Sequence, residues 1–167
     1  RAYFYAAKSL VFFRDFERSS TYIEKGLKEN TLKNDTKLKA LFLMLQGGYY
    51  SRMSLFDQSF RTLKEALSLL IPRDDLESKL MISSTYIYLS DYYTEIKDYK
   101  SAHVYADKSI RGIESISQQQ YLSSKRIYRN KAFIYFYKSW IFLEQENPRA
   151  AFPFIQKAYD QALLERI

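Results

Sequence analysis

The sequence predicts an all-α protein of about eight helices paired into four hairpins, and three observations carry that expectation. Only 4 Gly and 3 Pro occur among 167 residues, too few turn-formers for an all-β domain and well suited to long helices with short links. Hydrophobic residues make up 47% of the chain, enough for a continuous core. Small residues recur at steps of 12 and then 7 in four successive places: Ala7, Ser19, Gly26; Gly47, Ser59, Ala66; Ser90, Ala102, Ser109; and Ser139, Ala151, Ala158.

Two antiparallel helices approach closely only where side chains are small, with bulky neighbours filling the space on either side. A step of 7 returns to nearly the same face of a helix. The step of 12 spans a turn, so each set puts small residues on both arms of one hairpin. Helices are expected over 1–13, 16–29, 36–52, 55–71, 75–96, 98–115, 119–145 and 148–166. Local signals agree with these limits. Asn34 and Asp35 can cap the third helix, Pro72 ends the fourth, and Asp74 or Asp75 opens the fifth. Ser117 with Gln120 has capping-box spacing for the seventh. Asn147-Pro148 reads as N-cap and first residue of the eighth, and Pro153 should kink that helix or delay its start.

Large residues surround the small ones in a constant order. Leu43, Gln46, Gly47 and Tyr50 precede Ser59, Leu63 and Ala66; Tyr86, Leu89, Ser90 and Tyr93 precede Ala102, Ala106 and Ser109. Tyr135, Lys138, Ser139 and Phe142 precede Ala151, Ile155 and Ala158, and Tyr3, Ala6, Ala7 and Leu10 precede Ser19, Ile23 and Gly26. This order resembles the tetratricopeptide repeat across the whole chain. The departure is the period. The family repeats every 34 residues or so, whereas Ala7 to Gly47 is 40, Gly47 to Ser90 is 43 and Ser90 to Ser139 is 49. The extra residues fall between hairpins and lengthen the helices there, as in long-helix repeats of bacterial regulatory and peptide-sensing proteins. The resemblance implies a right-handed α-solenoid forming one repeat domain over 1–167, with units over about 1–33, 34–73, 74–116 and 117–167.

No built-in chemistry is legible. With Cys at 0, disulfides and thiolate metal sites are excluded. His103 is the sole histidine, and no HExxH spacing, phosphate loop or Gly-x-Ser-x-Gly elbow occurs. We expect no cofactor, no metal and no catalysis. Gly47-Gly48 is mid-helix and reads as close packing. Asp74-Asp75 reads as helix-start charge. Asp91 and Glu95 are like charges at i,i+4, which repel mildly and fit a basic partner as well as a solvated face. The net charge of +7 is interspersed with acidic residues. The basic and aromatic run Lys125, Arg126, Tyr128, Arg129, Lys131 permits nucleic-acid contact, but its aromatics sit at helical spacing and read first as core. No apolar run of about 18 residues spans a membrane. Apolar residues reach both ends, from Tyr3 and Phe4 to Leu163 and Ile167. The chain therefore reads as a piece of a longer protein with adhesive terminal helices prone to self-association.

The family geometry implies that first helices line a concave face. Lys8, Phe12, Met44, Arg52, Ile87, Asp91, Glu95, Phe136 and Trp140 occupy the lining positions, apolar anchors mixed with a few charges as a groove for a peptide or helix requires. The resemblance thus points to a non-catalytic protein-binding scaffold. The sensory or dimerising part of a bacterial transcription regulator is the first alternative, and a nucleic-acid-binding helical repeat the second.

Overall fold

The protein was analysed as a computed structural model, which describes residues 2–12, 15–116 and 126–166. Among these residues there are eight α-helices and no strand. The helices are α1 (Ala2–Phe12), α2 (Phe16–Lys33), α3 (Thr36–Arg52), α4 (Phe56–Leu70), α5 (Leu76–Glu95), α6 (Tyr99–Glu114), α7 (Arg126–Glu144) and α8 (Pro148–Arg166). They group into two compact units, Arg1–Pro72 and Arg73–Ile167. Each unit holds two helix hairpins.

One turn is built repeatedly. In three hairpins the first helix closes with a residue in the left-handed region, Ser54 (φ 58°), Lys97 (φ 62°) and Glu146 (φ 55°). Each donates its N–H back to Ser51, Thr94 or Leu143. The next residue, Leu55, Asp98 or Asn147, donates to the carbonyl of Tyr50, Tyr93 or Phe142 at 2.9 Å. That pair of bonds is a Schellman closure, which satisfies carbonyls at a helix end. Asp15 makes the corresponding bond to Leu10, also 2.9 Å. The same residues then serve as N-caps. The side chains of Asp15, Asp98 and Asn147 accept from the N–H three residues on, at 3.1 to 3.2 Å, while Leu55 has no side-chain cap. One residue thus ends one helix and starts the next, which is why the step across the turn never varies from 12.

The small residues sit where that turn delivers them. Ala7, Ser19, Ser59, Ser90, Ala102 and Ala151 are wholly buried and Ser139 nearly so. In three hairpins a serine hydroxyl crosses the contact to the opposite backbone, Ser19 to Ala7 O (3.2 Å), Ser59 to Gly47 O (2.8 Å) and Ser90 to Ala102 O (2.9 Å). In the fourth, Ser139 turns to Phe136 O within its own helix. A further small residue, not picked out from the sequence, stands one heptad before the first-helix member in three of the four sets, at Ala40, Ser83 and Ala132. Ser109 Oγ donates to Ser83 O at 2.7 Å, so this outer pair is also a contact between arms.

In the first unit Ala7, Ile23 and Leu45 form one buried cluster, with Phe4, Tyr22 and Tyr49 around it. In the second unit α7 lies against both α5 and α6. Ile127 and Ile134 join Leu80, Ile87, Ile113 and Ile116 in one cluster, and Ile141 joins Ala102 and Ala106 in another.

Several local expectations need correction. Asn34 does not cap α3. It closes α2 in the left-handed region (φ 49°), donating to Asn30 O, and so carries α2 on to Lys33. Asp35 alone caps α3, and Asp75 rather than Asp74 caps α5. α8 begins at Pro148 and continues through Pro153 as one helix. Proline there removes a single bond to the Arg149 carbonyl, and both residues face solvent, where water can take up the carbonyl. The Ser117–Gln120 capping box lies outside the described residues.

Glu146 carries a side chain where the backbone favours glycine. Its replacement by Gly should raise stability by about 1 kcal/mol, because the left-handed region costs a non-glycine residue about that much. Chemical denaturation of Glu146→Gly against the parent chain checks the sign. A loss of stability would show that the Schellman closure is not what fixes this turn.

Candidate functional site

The residues expected in a groove divide by burial. Ile87 is wholly buried and Met44 is 6% exposed, so neither anchors a ligand. For Ile87 the cause is direct, since α7 covers this part of α5 with Ile127 and Ile134. Lys8, Arg52 and Glu95 are exposed and Asp91 is half-buried. The Phe12 side chain lies outside the described residues. Phe136 (53% exposed) and Trp140 (42%) are at the surface.

Those two aromatics belong to a longer stripe. Phe133, Phe136, Trp140 and Leu143 recur at steps of 3, 4 and 3 along α7 and are all exposed. This spacing keeps them on one helix face. The side of α7 turned to α5 and α6 holds Ile127, Ile134 and Ile141, all buried. A second stripe, poorly legible in the sequence, runs along α8. Phe152, Ile155, Tyr159 and Leu163 recur at steps of 3, 4 and 4 and are exposed, Phe152 by 64%. The residues of α8 turned inward include the small Ala151 and Ala158, with Phe154 stacked on Phe142. Scattered surface apolar residues are ordinary, whereas continuous stripes on adjacent helices mark interaction surfaces.

On the side of α7 turned to α6 lies a buried charge. The Lys138 side chain is only 6% exposed, and its Nζ is 2.8 Å from Asp107 Oδ1 on α6. The ammonium also lies 5.6 Å from the Phe142 ring centre and 5.9 Å from that of Phe154, within cation–π range. The His103 ring lies 4.5 Å from that of Phe142, tilted by 44°. Its Nε2 is 2.7 Å from Gln145 Oε1, which makes Nε2 the protonated nitrogen and leaves Nδ1 buried without a partner. Burial holds the His103 pKa below its ordinary value, and the Lys138 charge adds to this. The Gln145 bond and Asp107 oppose it.

A histidine with a lowered folded pKa binds fewer protons folded than unfolded. Its contribution to stability is therefore fully present above the unfolded value of about 6.5 and is lost as pH falls through the folded value. Thermal melts should show stability declining as pH is taken from about 7.5 to about 5, and His103→Gln should flatten that decline. Identical pH slopes in the two proteins would mean that His103 does not contribute.

Among the described residues no group of three or more His, Cys, Asp or Glu side chains is placed to hold a metal ion, and no helix is long and apolar enough to cross a membrane. Set against family models, curated proteins and solved structures, the chain matches none of them.

Proposed function

We propose that this chain is a non-catalytic interaction scaffold, a right-handed α-solenoid of four tetratricopeptide-like hairpins that holds an apolar peptide or helix of a partner protein. The exposed stripe of Phe133, Phe136, Trp140 and Leu143 on α7 carries the reading. Its support is energetic. Fully burying such a side chain is worth about 1.5–3 kcal/mol; these four are 39–53% exposed, so a docking partner recovers about half of that at each. The repeated Schellman turn and the serine-to-backbone contacts support the repeat architecture. Asp91 and Glu95 on α5 would favour a partner with basic residues.

Trp140 is the one tryptophan of the chain, so its fluorescence reports the occupancy of the stripe. Peptides selected from a displayed random library against the whole chain should shift its emission to the blue. Trp140→Ala should weaken those peptides by about 30-fold or more, the effect of a buried aromatic anchor, while the unfolding midpoint stays in place. Selected peptides that bind the folded variant with unchanged affinity remove Trp140 from the site. A library that yields no binders defeats the reading itself.

A further inference from the structure

Resting on the scaffold reading, we infer that the joint face of α7 and α8 binds one amphipathic helix of a partner protein in the way that α7 itself covers α5 and α6. The internal repeat provides the template. Ser90 and Ser139 are 49 residues apart, and that shift carries the α5–α6 hairpin onto the α7–α8 hairpin. On α6, the side of the helix that α7 covers includes His103, Ala106 and Ile110. Shifted by 49 these become Phe152, Ile155 and Tyr159, all exposed. Ile87 on α5, buried beneath α7, becomes Phe136, which is 53% exposed. The uncovered face is therefore the continuation of an interface already formed within the same unit, and it is more apolar than the covered one.

The substitutions between the two hairpins define the chemistry of the occupant. α7 presents Ile127, Ile134 and Ile141, one heptad apart, to α5 and α6, so the incoming helix carries three aliphatic residues at that spacing. Lys138 of α7 pairs with Asp107 at 2.8 Å, but the shifted position of Asp107 is Gln156. The incoming helix therefore has a neutral residue four positions after its second aliphatic. Glu144 of α7 pairs with Lys97 at 3.0 Å, and the shifted position of Lys97 is the exposed Glu146. The polarity of that contact is inverted, so the incoming helix carries Lys or Arg three positions after its last aliphatic. The first helix of a second copy does not meet this description. Aligned on Ser139 and Ala7, α1 offers Ala2, Ala6 and Ser9 where α7 offers Ile134, Lys138 and Ile141, too small to fill the space between the stripes.

The test uses the whole chain and a fluorescein-labelled synthetic helix. The peptide has three Ile one heptad apart, Gln four residues after the second and Lys three after the last, on an Ala, Glu and Gln background. Fluorescence anisotropy should show saturable binding. Ile155→Glu and Tyr159→Glu should each weaken it by about tenfold or more with the circular dichroism and melting curve unchanged, as expected for exposed positions. Changing the peptide Lys to Glu should weaken binding by about fivefold, and Glu146→Lys in the chain should restore it. Absence of saturable binding, binding that survives Ile155→Glu, or a charge exchange without effect each overturns the inference. So does sedimentation showing a dimer that Ile155→Glu dissolves, because the face then belongs to a second copy. Library peptides that depend on Trp140 serve as the control. If they bind while the designed helix does not, the scaffold reading stands and this inference alone falls; if neither binds, both fall.

Discussion

Gly47→Leu is expected to destabilise the chain by about 3 kcal/mol, the upper part of the range for overpacking a filled core. A Cβ placed on Gly47 would lie 2.5 Å from Leu63 Cγ and 2.6 Å from its Cδ2, well inside the separation at which carbon atoms repel. Leu63 is wholly buried on α4, so its side chain has no open space into which to withdraw. Ser59 Oγ meanwhile holds the Gly47 carbonyl at 2.8 Å, which ties α4 to α3 at the point where the new side chain would push them apart. Even Gly47→Ala should destabilise, although alanine is the better helix former by about 1 kcal/mol. Urea denaturation of the two single variants checks the direction. The double variant Gly47→Leu with Leu63→Ala identifies the cause, because removing the Leu63 side chain opens the volume that the new leucine needs. Recovery of part of the loss in the double variant assigns it to this contact. Additive losses would place the strain elsewhere.

That contact was legible in the sequence because its cause is local. The step of 12 between Gly47 and Ser59 follows from one turn geometry, in which Leu55 bonds back to Tyr50 and then accepts from Ser59. The four turns share that geometry, so the small residues mark the hairpins without knowledge of what packs over them. Helix starts were legible for the same reason at Asp35, Asp75 and Asn147, whose side chains cap the helix that follows. Asn34 was misassigned because the same side-chain type serves N-caps and left-handed closures alike, and only the chain direction on either side separates the two roles. The surface was less legible. A lining position read from a repeat pattern tells which way a side chain leaves its helix, not whether another helix already covers that side. Ile87 and Phe136 occupy the same register position, yet one is core and the other is surface. The difference is that α7 covers Ile87, which is a tertiary fact. The α8 stripe is hard to select because the helix is apolar on two sides, with Phe152, Ile155, Tyr159 and Leu163 on one and Ala151, Phe154 and Ala158 on the other, so the pattern alone cannot pick the outer one.

Lys138 occupies a first-helix position of the repeat pattern, and the structure gives it a larger energetic role. Asp107→Ala should destabilise the chain by about 2 kcal/mol. Breaking a fully buried ion pair costs about 3–5 kcal/mol because an uncompensated charge stays behind. The Asp107 side chain is 46% exposed while that of Lys138 is 6% exposed, so water already screens one partner, and we discount the figure accordingly. The rings of Phe142 and Phe154 near the ammonium retain part of its stabilisation when Asp107 is gone. Removing the lysine has a different consequence. Lys138→Met keeps most of the buried chain length, discards the desolvated charge, and leaves Asp107 at the surface where water solvates it. Its stability should stay within about 1 kcal/mol of the parent. The double variant Asp107→Ala with Lys138→Met should then be close to Lys138→Met alone, since the loss in the aspartate variant comes from the stranded charge and not from the carboxylate itself. Urea denaturation of the three proteins at neutral pH separates these accounts. If Lys138→Met is as destabilising as Asp107→Ala, the pair contributes net stability as a pair, and the buried lysine is held by more than its distance to Asp107.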